Sequence, residues 1–302
     1  EIDAVKTTAD VQRMIARLQQ IRIAVPFGLT AGSDNHSPDD VITQVSAAGL
    51  GLPDRDYYWK SEPRFEEARA RYRTYVAEIL RLAGLDKAAA TRGADTVFRM
   101  EKALAGASLD NVALRDPRST DHKMTMARLQ TLTPRFDWAA FARHLDLAGS
   151  DVNVAEPKFL AEVDRQLGET PVADWKTYLK WQLLAAAAPS LSDDFVKASF
   201  DFQGAYLQGA KEMKPLWKRC AESTDKQLGE ALGQKYVEKY FPPEAKARMQ
   251  EMVKNLRLAM SETIQGLAWM SPETKKRALQ KLSTFNPKVG YPEKWKDYGR
   301  VS

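Results

Sequence analysis

Apolar side chains recur every three or four residues along most of this 302-residue chain, a spacing that is typical of amphipathic α-helices. The longest stripe predicts one helix of about seven turns, starting after two consecutive prolines at 242 and 243. Its members are Met249, Met252, Val253, Leu256, Met260, Ile264 and Leu267. Methionines on such a stripe are typical of adaptable core packing, so we expect this stripe to be buried.

Shorter stripes predict further helices, near residues 11–18, 65–80, 94–104, 138–145, 175–186, 195–206 and 278–282. Gly84 is placed to end the second of these helices, and Asp137 is placed to cap the fourth. In the third, Glu101 occupies a position on the apolar stripe. Only residues 21–27 and 287–291 have the character of short strands. The sequence therefore predicts a mainly α fold, a large irregular multi-helix array with only short strands.

Residues 49–59 read GLGLPDRDYYW, which no single structural requirement explains. Gly49 and Gly51 free the backbone for a positive φ angle or for a close approach to another segment. The three consecutive rings at 57–59 need an apolar wall and a polar partner at once. We therefore predict a firmly anchored turn that leads into the helix beginning near Pro63.

Within this run, Arg55 stands between two carboxylates, Asp54 and Asp56. A guanidinium held by carboxylates fixes a loop in place, because its donors form a rigid fork. We predict a buried charge network at these three residues, with a structural role.

The string GLPDRDYY at 51–58 resembles the signature of the neprilysin-like zinc metallopeptidases. Further blocks resemble the bacterial oligoendopeptidase O branch of that family, namely LRDP at 114–117, HKMT at 122–125, WKRC at 217–220 and GYP at 290–292. The resemblance covers nearly the whole chain. It implies the helical lobe of a two-lobed endopeptidase, which encloses a chamber that admits short peptides and excludes folded proteins.

The family that this chain resembles holds its zinc on a His-Glu-x-x-His helix and on a later glutamate. The three histidines here are His36, His122 and His144, and none has a second histidine four residues on. The resemblance thus implies that zinc is bound by a C-terminal catalytic region and not by this chain. We expect this chain to be the N-terminal, non-catalytic part of the peptidase, with no catalytic, cofactor-binding or metal residue, and to be inactive alone.

The resemblance also implies the organisation and partners of the chain. Residues 1–302 would form a helical N-terminal region, with 21–60 and 286–302 at the junction with the C-terminal catalytic domain. The partners would be peptide substrates and that catalytic domain, and an extracytoplasmic location, periplasmic or secreted, is favoured over the cytoplasm. The alternative is a helical binding or interaction module that stands alone without catalysis.

Charge is unevenly distributed along the chain, whose net charge is +5. Residues 206–302 carry 19 Lys and Arg against 11 Asp and Glu, whereas residues 1–205 carry 26 against 29. The cations follow amphipathic helices and are not clustered with aromatic residues, which disfavours a nucleic-acid partner. They favour a solvated helix face or a surface that faces an acidic domain. The apolar runs are too short for a transmembrane segment, which needs about 20 residues.

The polar loop at 34–40 is a weaker candidate site. It carries Asp34, His36, Asp39 and Asp40, residue types that bind divalent cations. Asx and Ser-Pro sequences also form turns without any ligand, and we favour that interpretation. His122 and His144 stand alone in the sequence and predict no metal site.

Cys220 is the one cysteine of the chain. A cysteine hydrolase would need a histidine beside it, and none is near in sequence. We therefore expect either a buried small side chain or half of a disulfide to the C-terminal region. In exported members of the family that this chain resembles, the matching cysteine is often paired in that way.

Overall fold

The computed structural model describes residues 1–37, 39–147 and 151–299. Within them lie twelve α-helices and one four-stranded sheet, so the prediction of a mainly α fold with short strands is confirmed. Contacts between Cα atoms divide the chain into two compact units, Glu1–Met213 and Lys214–Ser302. No helix in the described ranges has both the length and the apolar character needed to cross a membrane.

The first unit contains nine of these helices. They are α1 Thr8–Gln20, α2 Asp56–Trp59, α3 Pro63–Leu82, α4 Lys87–Ala107, α5 Met126–Leu132, α6 Trp138–Leu145, α7 Pro157–Glu169, α8 Val172–Ala187 and α9 Asp193–Ser199, which continues as a π-helix over Phe200–Leu207. Two predicted helix ends are confirmed, because the Asp137 side chain accepts a hydrogen bond from the Ala140 amide and Gly84 adopts φ +101° after α3.

The sheet belongs to the first unit and has the strand order β1-β2-β4-β3. Its strands are β1 Phe27–Ser33, β2 Val41–Ala47, β3 Lys123–Thr125 and β4 Asp151–Val154. The two outer pairs are antiparallel, whereas β2 and β4 are parallel. The parallel pair joins stretches of chain that are far apart in sequence.

Both strand predictions are wrong in position. The predicted strand at 21–27 ends where β1 begins, because the Ile21 and Ile23 amides both donate to the Leu18 carbonyl and finish α1 instead. Pro26 then offers no amide hydrogen to a neighbouring strand. Residues 287–291 form no strand, since Gly290 takes φ +74° in place of an extended conformation.

Two hydrophobic clusters fill the first unit. One joins α1, the inner face of the sheet and helices α5 to α7, and the other lies between α2, α3 and α4. Helix α8 belongs to both clusters, because Trp175 and Tyr178 point into the first and Trp181 points into the second. Helix α8 therefore contributes side chains to both clusters. Residues 49–59 attach to the rest of the unit at this helix.

The second unit contains α10 Leu216–Tyr240, α11 Pro243–Gly266 and α12 Pro272–Ser283. The helix predicted from the methionine stripe is therefore confirmed as α11. The prediction that this stripe is buried is wrong, because Met249, Met252, Leu256 and Met260 are exposed. The physical reason is that α12 packs along another side of α11, where Arg257 and Leu258 lie against Leu279 and Leu282.

Candidate functional site

Residues 49–59 are anchored by the hydroxyl group of Tyr58. This ring lies on α2, is only 1% exposed and stacks on Phe98 of α4. Its oxygen accepts hydrogen bonds from the Gly51 amide at 3.2 Å and the Leu52 amide at 3.0 Å. Its hydrogen is donated to Glu101 Oε2 at 2.8 Å. The predicted turn is thus anchored, through the Tyr58 hydroxyl, to the buried carboxylate of Glu101.

Glu101 is fully buried and receives hydrogen bonds from four side chains. The hydroxyls of Tyr58 and Tyr72 donate to Oε2, at 2.8 and 2.7 Å. Trp181 Nε1 and Gln182 Nε2 donate to Oε1, at 3.3 and 3.2 Å. The donors come from α2, α3 and α8, while Glu101 lies on α4. One carboxylate therefore ties together four helices, and we call these five side chains the Glu101 network.

The Glu101 network is well hydrogen-bonded, but burying its carboxylate has an electrostatic cost. Burial raises the pKa of Glu101 to about 7, although the hydrogen bonds from Tyr72 and Tyr58 work in the opposite direction. Burial, together with the charge of Glu101, also raises the pKa of Tyr58, Tyr72 and Tyr178. These tyrosines therefore remain neutral hydrogen-bond donors or acceptors at ordinary pH.

The raised pKa predicts a fall in stability as the pH rises. Between its ordinary pKa of 4.5 and about 7, Glu101 keeps its proton in the folded chain and loses it in the unfolded chain. The free energy of unfolding should therefore drop by about 3 kcal/mol across this window, at about 1.4 kcal/mol per pKa unit. Denaturant titrations at several pH values test this, with Glu101→Gln as the control that lacks this proton. The prediction would be contradicted if the free energy of unfolding changed with pH in the same way in both proteins.

The glycines of residues 49–59 are required by close packing. Gly49 has φ +73°, and its carbonyl accepts from Tyr178 Oη at 2.7 Å and Gln182 Nε2 at 2.9 Å. A Cβ atom on Gly51 would lie only 2.0 Å from Tyr72 Oη. The prediction for both glycines is confirmed: Gly49 needs a positive φ and a close approach, and Gly51 needs the close approach.

The predicted buried network at Asp54, Arg55 and Asp56 is wrong. All three residues are half-buried, and Arg55 Nη1 donates to the Ser108 carbonyl at 2.6 Å instead of to its neighbours. Asp54 instead accepts from the Asp56 amide and from Asn111 Nδ2, both at 2.8 Å. Side chains of consecutive residues point in different directions at the start of a helix, so they do not close around one another.

The polar loop at 34–40 is held by protein partners. Asp34 is 2% exposed, and its Oδ2 lies 2.5 Å from Lys123 Nζ while its Oδ1 accepts from the His36 amide at 2.9 Å. The hydrogen bond from Lys123 lowers the pKa of Asp34. His36 Nε2 lies 3.0 Å from Asp121 Oδ2. These contacts favour the turn interpretation over a cation site.

The remaining candidates are not brought together. Asp39 and Asp40 are exposed, and so is His144. His122 donates its amide to Asn153 Oδ1, and its Nδ1 is buried without a hydrogen-bond partner among the described residues. Across the parts of the chain that the structure describes, no three His, Cys, Asp or Glu side chains are grouped so that they would hold a metal ion.

Cys220 lies on α10 and is exposed. The expectation of a buried small side chain is therefore wrong, because the second unit offers no core at this position. The alternative, a disulfide to a C-terminal region, stays a prediction. Of the sites considered, the one that the described residues support is therefore the Glu101 network, and it is a structural anchor.

Comparison with known proteins gives a consistent family. The model of Peptidase family M13 matches residues 1–292. Human endothelin-converting enzyme 1 is 28% identical over 273 residues, which are 88% of this chain and 35% of that protein. The chain therefore spans about a third of the length of this curated relative.

Solved structures agree with the sequence comparison. Zinc metalloprotease Zmp1 from Mycobacterium tuberculosis, in complex with an inhibitor, superposes with a TM-score of 0.90 and 31% identity, covering 100% of this chain and 46% of that one. PepO from Lactobacillus rhamnosis has a TM-score of 0.83 at 21% identity, over 97% of this chain and 46% of that one, which supports the fold alone. Each of these solved chains is about twice as long as the region matched here.

Proposed function

Because this chain belongs to peptidase family M13, we propose that it is the non-catalytic helical region of a zinc-dependent endopeptidase that hydrolyses short peptides. The observation that carries the proposal is the match to Zmp1, a zinc metalloprotease, along the whole of this chain. The His-Glu-x-x-His pattern does not occur in the sequence. We therefore assign zinc binding and peptide cleavage to a region outside residues 1–302.

The part played by this chain would be to wall the substrate chamber. Zinc, when bound by the catalytic region, supplies a polarised scissile carbonyl and an activated water. The residues described here supply rigidity, since the Glu101 network fixes residues 49–59 against α3, α4 and α8. We propose that residues 21–60 and 286–302 lie at the junction with the catalytic domain.

We propose peptides and that catalytic domain as partners, and an extracytoplasmic location. The family membership supports these proposals. The rival, a helical module that acts without catalysis, predicts a gene that encodes no zinc motif after this region. The gene sequence beyond residue 302 separates the two.

Purified residues 1–302 are expected to cleave no peptide and to retain no stoichiometric zinc. The physical reason is that the described residues provide no set of three metal-ligating side chains. A fluorogenic peptide assay with and without 1,10-phenanthroline, together with zinc analysis of the protein, measures both. The matched positive control is the whole parent protein prepared in the same way. Chelator-sensitive cleavage by a preparation whose intact mass is 33.9 kDa would contradict the assignment of zinc binding and cleavage to a region outside residues 1–302.

A further inference from the structure

The methionine stripe of α11 is an exposed apolar face that belongs to one helix. Its four largest exposed members are Met249, Met252, Leu256 and Met260, at 40%, 47%, 61% and 52% exposure. They are spaced three or four residues apart, so they form one continuous ridge about 16 Å long. A ridge of this spacing fits the groove of another helix.

The neighbours of α11 within its own unit do not cover this ridge. Helix α12 lies against a different side, where a groove of about 330 Å³ is lined by Leu258, Leu279 and Leu282. Arg257 Nη2 donates to the Leu282 carbonyl at 3.1 Å and fixes α12 on that side. Near the start of α11, Lys246 Nζ donates to the Tyr291 carbonyl at 2.8 Å, on the same side of the helix as Arg257.

The rest of the second unit is equally open. Between residues 214 and 299, every residue that the structure describes is exposed or half-buried. Large side chains elsewhere in this unit share the exposure, namely Leu216, Trp217, Tyr236, Tyr240, Trp269 and Phe285. Such a small helical unit is stable only when apolar surface is buried against something else.

We propose that the methionine stripe is the docking surface for polypeptide that follows the matched region in the longer M13 relatives. This inference rests on the proposed function. The solved relative Zmp1 has more than half of its length outside the match, which supplies an occupant. Residues 206–302 carry 19 cations against 11 acids, so the surface around the stripe favours an acidic partner. Methionine side chains adapt well to such a partner helix.

The same charge argues against a second copy of this chain as the occupant. Two copies would bring two basic units face to face, and juxtaposed like charges oppose association. The acidic excess of residues 1–205, at 29 against 26, is too small to offset that repulsion. The stripe is therefore assigned to covalently linked polypeptide and not to self-association.

The test places the same pair of changes, Met252→Glu with Leu256→Glu, in the whole parent protein and in residues 1–302. In the parent, the pair should lower Tm by about 5 °C or more, because two carboxylates would be buried in an apolar contact. In residues 1–302 alone, the pair should reduce the fluorescence of the apolar dye ANS and raise the soluble yield. The same pair of substitutions would thus destabilise the parent protein and make the isolated chain more soluble.

Two control variants keep the test interpretable. Asn255→Glu adds a carboxylate to an exposed position of α11 outside the stripe, and it should leave the Tm of the parent unchanged. Met252→Leu with Leu256→Met preserves an apolar ridge and should also be neutral. If either control lowers Tm as much as the glutamate pair does, α11 is intolerant of change in general and the docking surface is overturned.

The outcomes separate the two proposals. An unchanged Tm of the parent carrying the glutamate pair would overturn the docking surface and leave the proposed function standing. A dimer of residues 1–302 that the pair dissociates, with the parent unaffected, would assign the stripe to a second copy and overturn the inference. A parent that is destabilised by the pair, and that cleaves no peptide even without the pair, would support the docking surface and overturn the proposed function alone.

Discussion

Replacing Glu101 with leucine is expected to lower the free energy of unfolding of the first unit by about 4 kcal/mol or more. Leucine is close to glutamate in size, so packing is preserved while every hydrogen bond to the carboxylate is lost. Tyr58, Tyr72 and Trp181 would then each keep a buried donor without its acceptor. Each orphaned donor costs about 1–3 kcal/mol. Denaturant unfolding monitored by tryptophan fluorescence measures the loss.

Tyr72→Phe distinguishes this cause from a general packing defect. Among the described residues, the Tyr72 hydroxyl has Glu101 as its one hydrogen-bond partner. Alone, Tyr72→Phe should cost about 1 kcal/mol, whereas in the Glu101→Leu background it should cost nothing or restore stability, because it removes an orphaned donor. Glu66→Leu, on an exposed position of α3, is the matched control and should stay within about 0.5 kcal/mol. Additive effects of the two changes would argue against the network.

The helices were predictable because their signal is local. A stripe of apolar side chains and a cap such as Asp137 are both contained within a few turns of chain. The positions of the strands are harder to predict because strand pairing is not local: Thr43 of β2 pairs with Val152 of β4. The start of β1 was also obscured, because the apolar stretch before Pro26 begins by finishing α1. Alternation over a few residues carries too little information to fix such a register.

The candidate site was predictable only in part. The need for glycine at 49 and 51 follows from the sequence, but the reason, a set of buried tyrosine hydroxyls, comes from α3 and α8. Glu101 did leave a signal, since a carboxylate on an apolar stripe implies a buried set of donors. Arg55 shows that proximity in sequence does not imply contact in space, because its guanidinium donates to the Ser108 carbonyl and not to Asp54 or Asp56. The exposed methionine stripe shows a second limit of prediction from sequence. A helical period reveals that a helix has an apolar face, but it does not reveal what covers that face.

Gly49→Ala is expected to lower the free energy of unfolding by about 3 kcal/mol or more, through two separate effects. The first is backbone strain, because Gly49 has φ +73° and an L-residue there loses about 1–2 kcal/mol. The second is steric, because the new Cβ atom would lie 2.2 Å from Tyr178 Oη. Tyr178 is fully buried and cannot retreat without giving up its hydrogen bond to the Gly49 carbonyl.

Two further variants separate these effects. Gly84→Ala carries the strain alone, since Gly84 has φ +101° and a Cβ atom added there would have no described atom within 4 Å. Tyr178→Phe removes the colliding oxygen, and the next atom near the Cβ of residue 49 is then Pro26 Cα at 3.1 Å. In the Tyr178→Phe background, Gly49→Ala should therefore cost about 1–2 kcal/mol, close to the value for Gly84→Ala. Equal costs of Gly49→Ala in both backgrounds would mean that the contact with Tyr178 does not require glycine.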